Sequence, residues 1–402
     1  MRVLIDYRPA LRERSGSGEY THQLVSALLA SYPAVGPSPA LELTLFSSSW
    51  KDRLVPAPDL AGAAIVDRHI PVRLLNLAWH RLGWPPAETL TGGAFDVTHS
   101  PHPLLLPARN TAQVITIHDL NFLTHPERTR AEIRRDYPVL TRDHAHRADA
   151  VLVPSEYTAG EVERLLGLPR ERMTVCSPGA PDWTPRTIAP TDGYVLFFST
   201  LEPRKNVGGL LDAYEKLLMR DDPRVVPYGR NASYGRNASV GDNLQVVPPL
   251  VLAGKATADA QPWLDRITRP PLLGKVRHIG YVDAGDRRAL YEGARLLVQP
   301  SFDEGFGMSV LEAMSLGVPV VASNRGSLPE VLGDAGPLVD PDRPDDLAHA
   351  IARVLDDDAF ASACAEKGLA RARTFRWNTT AHRVYDTYHE AVNRRTQAAR
   401  RG

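Results

Sequence analysis

The chain has 402 residues, of which 43% are hydrophobic and 23% charged, and this predicts a globular protein of two domains of about 200 residues each. Its 47 basic residues equal its 47 acidic residues, so no overall positive field is present to attract nucleic acid. The two cysteines, Cys176 and Cys364, lie too far apart in sequence for a disulfide framework or a cysteine metal knuckle.

Short apolar segments alternate with helical ones in the first half of the chain. The strand-like segments are residues 3–7, 43–47, 96–100, 114–118 and 151–154, and a helical segment covers residues 19–30. Such alternation predicts a parallel sheet with helices on both faces. No signal peptide precedes the first strand and no run of about 18 apolar residues occurs, so we expect a cytoplasmic protein without a membrane-spanning segment.

A second alternation follows a segment rich in proline and glycine. Residues 177–193 read SPGAPDWTPRTIAPTDG and are predicted to link two domains. Strand-like segments then recur at residues 194–199, 250–254, 276–280, 296–299 and 318–322. We therefore predict an α/β protein of two Rossmann-like, doubly wound domains, over residues 1–185 and 190–376. The hexapeptide YGRNAS occurs twice in tandem at residues 228–239, where we expect a surface insertion.

The most informative stretch covers residues 301–323 and reads SFDEGFGMSVLEAMSLGVPVVAS. A strand, a glycine loop and a helix start follow one another here, which presents free backbone N–H groups suited to binding phosphate. Glu304 in the loop and Glu312 about one turn into the helix would flank that phosphate and accept hydrogen bonds from hydroxyls. Phosphate beside such carboxylates predicts a nucleotide-sugar site. The alternative is an ordinary loop-to-helix junction with two solvated glutamates.

The same stretch resembles the E-x7-E motif of retaining glycosyltransferase family 4, in which E-G-F-G-x-x-x-L-E-A-M recurs. The resemblance implies a GT-B fold, with two Rossmann-like domains facing across a cleft and a C-terminal helix, here within residues 377–402, packing back on the N-terminal domain. It implies retaining transfer of a hexose from a nucleotide sugar, with no metal and no further cofactor. The implied donor contacts in this stretch are Glu304, Gly305, Phe306, Gly307, Met308, Ser309 and Glu312.

Two adjacent basic residues, Arg204 and Lys205, follow the first strand of the second half in the sequence EPRKN. A guanidinium fork and an ammonium at a strand end suit a diphosphate, although two basic loop residues are commonly just solvated. The family resemblance implies that both hold the donor diphosphate and assist its departure. It also implies backbone contacts from Gly280 and Tyr281 to the nucleotide base.

The loop over residues 14–20 joins the first strand to the first helix. It lacks the full G-x-G-x-x-G fingerprint, because Thr21 stands where the third glycine belongs. The family resemblance implies that Gly16 and Gly18 approach the donor, and a flexible turn is the alternative. A nicotinamide-dependent enzyme and a non-catalytic protein of GT-B shape remain the alternatives from other functional classes.

The segment IHDLNFLTHPE over residues 117–127 resembles a subset of the family rich in mannosyltransferases. It implies GDP-mannose as donor, ahead of a UDP-sugar. His118 would reach the donor sugar with a catalytic contact, while Asp119 and, at a second strand end, His99 would lie on the acceptor side. Each histidine has a purely structural alternative.

The expected acceptor is a glycan or a lipid-linked molecule. Residues 72–84, VRLLNLAWHRLGW, mix leucine, tryptophan and arginine and suit peripheral contact with the inner face of a membrane, although a helix packed on its own domain is an equal alternative. The D-x-D sequence at residues 340–342 is read as a strand-to-helix turn and not as a metal site.

Overall fold

The computed structural model describes residues 1–11, 14, 16–33, 40–126, 131–220 and 247–401, without the side chains of residues 131–136, 398, 399 and 401. The tandem YGRNAS repeat, Ser15 and Glu127 lie outside the described residues. The chain forms two compact units. The first unit is Met1–Pro181 with Glu304–Met308 and Arg373–Gly402, and the second unit is Asp182–Asp303 with Ser309–Ala372.

The first unit is built on a parallel sheet with the strand order β3-β2-β1-β4-β5-β6-β7. Its strands are β1 (Arg2–Asp6), β2 (Glu42–Ser48), β3 (Ala64–Arg68), β4 (Val97–Ser100), β5 (Ala112–Thr116), β6 (Ala150–Val153) and β7 (Met173–Val175). The central strand β1 pairs with both neighbours, so that Val3 lies opposite Leu43 on one side and Val97 on the other.

Helices cover both faces of this sheet. They are α1 (Ser17–Ser31), α2 (Val72–Leu82), α3 (Ala87–Thr91), α4 (Asn121–Thr124), α5 (Ala131–Arg147), α6 (Glu156–Leu166) and, at the end of the chain, α14 (Trp377–Arg401). Successive residues of β1 point to opposite faces: Val3 and Ile5 pack in one core cluster and Leu4 in another. The sheet is therefore doubly wound, as the alternation of the sequence predicts.

The last helix returns to the N-terminal part of the chain. In the core between α1 and α14, Tyr20 and Leu24 pack with Val384 and Tyr388. These apolar side chains recur three to four residues apart on each helix, which places them on one face. The contact confirms the predicted return of the C-terminal helix.

The second unit has its own parallel sheet with the strand order β10-β9-β8-β11-β12-β13. Its strands are β8 (Tyr194–Phe198), β9 (Leu250–Ala253), β10 (Val276–Gly280), β11 (Ala294–Gln299), β12 (Val320–Ser323) and β13 (Leu338–Val339). Its helices are α7 (Val207–Arg220), α8 (Gln261–Arg266), α9 (Ala284–Glu292), α10 (Met308–Ser315), α11 (Leu328–Leu332), α12 (Pro344–Asp356) and α13 (Asp358–Ala372). Its core joins Phe197 and Leu252 of the sheet to Leu210 and Ile351 of the helices.

Three strands were not predicted from the sequence: β3, β7 and β13. Two of them, β7 and β13, are only three and two residues long, and β3 is half-exposed with the sequence AIVDR. β3, β7 and β13 all lie at sheet edges, where an apolar run is not needed for burial. Strand β5 also ends earlier than predicted, at Thr116, so the residues that follow it are loop residues.

Candidate functional site

The glycine loop between β11 and α10 has the backbone geometry that its sequence predicts. Gly307 has a φ of +99°, a conformation that side-chain-bearing residues rarely adopt. Helix α10 begins at the next residue, Met308, so the N–H groups of its first turn point back toward the loop. Glu304 lies in the same loop and is only 7% exposed. The junction thus combines a helix N-terminus, which favours anions, with a carboxylate.

Gly305 is in close contact with the loop that follows β5. A Cβ atom built on Gly305 would lie 1.9 Å from the carbonyl oxygen of His118, so only glycine fits here. The Gly305 carbonyl oxygen accepts hydrogen bonds from Ser155 Oγ at 2.7 Å and Thr158 Oγ1 at 3.1 Å, and Ser155 caps α6. The first unit therefore brings the glycine loop and His118 together, although they are far apart in sequence.

His118 is held as a neutral ring. Its Nε2 donates to the carbonyl oxygen of Pro101 at 3.2 Å, and its ring packs edge-on against Tyr20 with centroids 4.9 Å apart. Burial lowers the pKa of His118 to about 4, so the ring is uncharged at neutral pH. With the proton on Nε2, the Nδ1 atom carries a lone pair that can accept a hydrogen bond.

Asp119, the neighbour of His118, also lies in the loop after β5. Its Oδ1 accepts a hydrogen bond from the backbone N–H of Asn121 at 3.2 Å. This bond stabilises the turn that leads into α4, and the side chain is partly exposed.

The second unit holds Glu312 in a buried, charged cluster. Tyr291 donates its hydroxyl to Glu312 Oε2 at 2.7 Å, and Arg287 Nη1 lies 3.5 Å from Glu312 Oε1. The three residues are 0%, 6% and 8% exposed for Tyr291, Arg287 and Glu312 respectively. Burial, with the adjacent carboxylate, raises the pKa of Tyr291 well above its usual range, so the hydroxyl stays a donor. The cluster fixes the orientation of the Glu312 carboxylate.

Arg287 and Tyr291 were not predicted from the sequence. They stand four residues apart in α9, which puts both on one face of that helix. Their four-residue spacing was the signal in the sequence that they share a helix face. That spacing does not reveal that both contact Glu312, because Glu312 lies on another helix.

The basic pair follows β8 in a short 3-10 turn, Pro203–Lys205. Arg204 Nε and Nη2 contact Glu202 Oε1 at 3.0 and 2.9 Å, and Nη1 donates to the carbonyl oxygen of Asp303 at 3.2 Å. Lys205 is only 5% exposed. Since β8 and β11 are neighbours in the sheet, the loops after them leave the same edge, and the Arg204 contact joins them.

A buried polar chain lies beneath the start of α10. Ser309 Oγ donates to Gln299 Oε1 at 3.1 Å, and Gln299 Nε2 donates to Ser301 Oγ at 2.8 Å. Gln299 and Ser301 are completely buried. Polar residues at the end of the apolar strand β11 were the available signal, but Gln299 and Ser301 were not predicted as site residues. The predicted residue Ser309 belongs to this chain of hydrogen bonds.

The glycines of the loop before α1 have different structural requirements. Gly16 has a φ of +51° and is the N-cap of α1, with open space where a Cβ would be. Gly18 packs so closely on the first loop that a Cβ would lie 2.5 Å from the carbonyl oxygen of Pro9. Close backbone packing therefore explains Gly18, and Gly16 is the one whose open side is available to a ligand.

His99 is part of the core of the first unit. It is completely buried, and its two ring nitrogens are hydrogen-bonded to Tyr388 Oη at 2.7 Å and Thr116 Oγ1 at 2.8 Å. Burial lowers its pKa to about 3. An acceptor would have to break both hydrogen bonds to reach the ring, so the structural alternative applies and His99 is not retained on the acceptor side.

The remaining candidates lie at the ends of strands in the second unit. Gly280 has a φ of +74° and its carbonyl oxygen accepts from the Gly254 N–H at 2.7 Å; Tyr281 follows it directly. Asp340 and Asp342 both contact Arg325 Nη2, at 3.0 and 3.4 Å, so an arginine occupies the position between these carboxylates.

Neither a metal-binding cluster nor a membrane-spanning helix occurs in the described residues. In that part of the chain, no cluster of three or more histidine, cysteine, aspartate or glutamate side chains has a geometry suited to a metal ion. Over the same residues, no helix combines the length and apolar character needed to cross a membrane.

Comparison with known proteins covers both units. The family model "Glycosyltransferase Family 4" matches residues 15–182, and "Glycosyl transferases group 1" matches residues 184–371. O-antigen chain mannosyltransferase B of Escherichia coli is 34% identical over 307 residues, which are 73% of this chain and 74% of that protein. Serotype-specific mannosyltransferase WbdA of Escherichia coli is 28% identical over 69% of this chain, but the match spans only 33% of WbdA.

Solved structures resemble the whole chain. Sucrose-phosphate synthase from Thermosynechococcus elongatus superposes with a TM-score of 0.72 at 19% identity, covering 97% of this chain and 98% of that one. Anabaena Alr3699/HepE in complex with UDP and glucose superposes with a TM-score of 0.66 at 17% identity, covering 96% and 99%.

These findings confirm the family and the fold predicted from the E-x7-E motif. Two parallel α/β sheets with a returning C-terminal helix and solved neighbours of the same architecture define the GT-B fold. A glycosyltransferase model over the first unit also removes the support for a nicotinamide-dependent enzyme. The identity to a mannosyltransferase extends over most of both chains. The chain therefore belongs to glycosyltransferase family 4 and is a retaining hexosyltransferase.

Proposed function

We propose that this enzyme transfers mannose from GDP-mannose to a glycan or lipid-linked acceptor, with retention at the anomeric carbon. The observation that carries the proposal is the 34% identity to an O-antigen chain mannosyltransferase. The segment over residues 117–127, with its mannosyltransferase-like sequence, supports the same donor. A UDP-sugar is the alternative, favoured by the UDP and glucose in the Anabaena structure.

Charge stabilisation of the departing diphosphate is the main catalytic role in this proposal. Arg204 supplies a planar fork of N–H donors and Lys205 a compact cation. The N–H groups at the start of α10, from Met308 and Ser309, add the partial positive charge of a helix terminus. Arg204 is held in place by its contacts with Glu202 and the Asp303 carbonyl oxygen, so its guanidinium needs little reorganisation as charge develops. The proposal therefore includes no metal.

The carboxylates and the neutral histidine are proposed to hold hydroxyl groups. Glu304 accepts hydrogen bonds from the sugar, and Glu312, oriented by Tyr291, accepts them from the ribose diol. His118 offers the lone pair of Nδ1 to a donor-sugar hydroxyl, since its Nε2–H donates a hydrogen bond to the Pro101 carbonyl oxygen.

The remaining proposed contacts contribute less to the binding free energy. In this proposal Gly280 and Tyr281 contact the base, and residues 305–307 let the backbone approach the donor. Gly16 and Gly18 lie beside the donor, and Asp119 lies on the acceptor side. A lipid-linked acceptor would require the enzyme to work in peripheral contact with the inner face of a membrane.

Calorimetric titration with GDP, UDP and ADP tests which nucleotide the sugar donor carries. We expect GDP to bind at least tenfold more tightly than UDP, a difference of about 1.4 kcal/mol. Lys205→Met should weaken GDP binding, whereas Lys216→Met, which removes a half-exposed lysine on α7 paired with Asp345, should not. UDP binding more tightly than GDP would overturn the mannose proposal and leave the family assignment in place.

A further inference from the structure

Helix α2 exposes apolar side chains on the outside of the first unit. Leu74 and Leu77 are 60% and 59% exposed, and Leu82 and Trp84 at the end of the helix are 74% and 62% exposed. Arg73 and Arg81, also exposed, stand among them. We name these six residues the α2 surface. Large exposed apolar residues that adjoin one another mark interaction sites more often than isolated ones do.

The opposite face of α2 is firmly attached to the first unit. Leu75 and Trp79 are 2% and 4% exposed, and Asn76 Oδ1 accepts a hydrogen bond from Arg8 Nη1 at 2.9 Å. The guanidinium of Arg8 also lies 4.7 Å from the centre of the Trp79 ring. Because this face is fixed by packing and hydrogen bonds, Leu74 and Leu77 cannot be buried by rotating the helix. Their exposure is therefore a property of the folded unit.

The attachment point ties α2 to the ligand-binding edge of the sheet. Arg8 pairs with Asp6 at 2.6 Å, and Asp6 is the last residue of β1. In open α/β sheets, ligands bind at the carboxyl ends of the strands. The α2 surface is thus anchored beside the edge of the first unit where an acceptor is expected.

The charges of the α2 surface indicate which partner it suits. The sequence of α2 contains arginine but no aspartate or glutamate, whereas the chain as a whole has a net charge of zero. A local group of arginines, leucines and tryptophan matches an anionic lipid surface. Leucine side chains enter the boundary of the acyl chains, the indole lies at the level of the headgroups, and the guanidinium groups meet lipid phosphates. Each basic residue at such a surface strengthens association roughly fivefold.

We propose that the α2 surface binds peripherally to an anionic lipid membrane. This binding does not depend on which sugar the enzyme transfers. We infer in addition that it presents a lipid-linked acceptor to the enzyme, and this second inference rests on the proposed function.

Vesicle co-sedimentation without any nucleotide sugar tests the proposal. The wild-type protein should bind phosphatidylcholine vesicles that contain about one third phosphatidylglycerol, and bind pure phosphatidylcholine at least about tenfold more weakly. Arg73→Gln with Arg81→Gln should lower binding to the anionic vesicles about 25-fold. Leu74→Ser with Leu77→Ser should lower binding at least about tenfold.

The control is Ile188→Ser with Leu273→Ser, which changes residues 81% and 59% exposed in the second unit and should leave binding unchanged. The proposal is overturned if the wild-type protein does not bind anionic vesicles, or if both α2 variants bind them as strongly as the wild-type protein does. It is also overturned if sedimentation shows that the leucine variant converts a dimer to a monomer without any change in vesicle binding.

An assay of mannose transfer to a water-soluble acceptor distinguishes the membrane-binding proposal from the donor proposal. The α2 variants should keep wild-type turnover in that assay, and a loss there would contradict a role confined to membrane binding. If the wild-type protein binds vesicles but transfers no mannose, the donor proposal fails while the membrane proposal stands.

Discussion

Replacing Tyr291 by phenylalanine should damage both the stability of the second unit and its binding of the nucleotide. The change removes one hydroxyl, which lies 2.7 Å from Glu312 Oε2. Tyr214 provides a matched control, because it is also completely buried in the second unit. Its hydroxyl donates at 2.7 Å to a neutral group, the backbone carbonyl oxygen of Pro248.

The two variants differ in the charge of the acceptor that loses its partner. A hydrogen bond to a charged group contributes about 1.5–3 kcal/mol, and one between neutral groups about 0.5–1.5 kcal/mol. For a unit of this size, 1 kcal/mol lowers Tm by about 2–4 °C. Tyr291→Phe should therefore lower Tm by roughly 3–12 °C and Tyr214→Phe by roughly 1–6 °C.

The affinity for the nucleotide shows whether Tyr291 orients the Glu312 carboxylate or only stabilises the fold. Tyr291→Phe removes the 2.7 Å hydrogen bond to Glu312 Oε2 and leaves the longer Arg287 contact at 3.5 Å, so the Glu312 carboxylate can turn away from the proposed ribose position. We expect the Kd for GDP, measured by calorimetry below Tm, to rise about tenfold in Tyr291→Phe and to stay constant in Tyr214→Phe. Equal Kd values in the two variants would refute the assignment of Glu312 to the nucleotide.

The remaining predictions concern the sugar contact, metals and pH. Glu304→Gln should leave the protein folded and lower turnover about a hundredfold or more, the scale of losing one preorganised polar contact. Turnover within about tenfold of wild type would contradict this. EDTA should leave turnover unchanged, and a loss that a divalent ion restores would return Asp340 and Asp342 to consideration. Stability should fall as the pH falls below 6.5. The pKa of His99 is about 3 in the folded protein and 6.5 in the unfolded chain, so the unfolded state binds more protons and each pH unit costs about 1.4 kcal/mol. Thermal unfolding of His99→Gln should show a shallower dependence on pH, and an identical slope would rule the explanation out.

Local patterns in the sequence were sufficient for the architecture and the family. Alternating apolar strands and helices predicted two parallel sheets, because strands buried on both faces must be apolar throughout. The string from Glu304 to Met314 pointed to the family, because it matches the family's E-x7-E motif position by position; a glycine loop before a helix is common and would not have done so alone. The edge strands β3 and β13 escaped detection, since an edge needs no apolar run.

The tertiary structure decided which side chains meet and which are buried. His99 and His118 both lie near the ends of strand segments predicted from the sequence, yet His99 is within β4 and packing against α14 buries it in the core, while His118 lies partly exposed in the loop after β5. The partners of Glu312 come from another helix, and Gly305 packs against a carbonyl that is distant in the chain. Residues 72–84 read equally well as a packed helix or a membrane-binding one. The structure shows a helix that is attached by one face and exposes leucines on the other, because burial depends on neighbours that only the fold brings together.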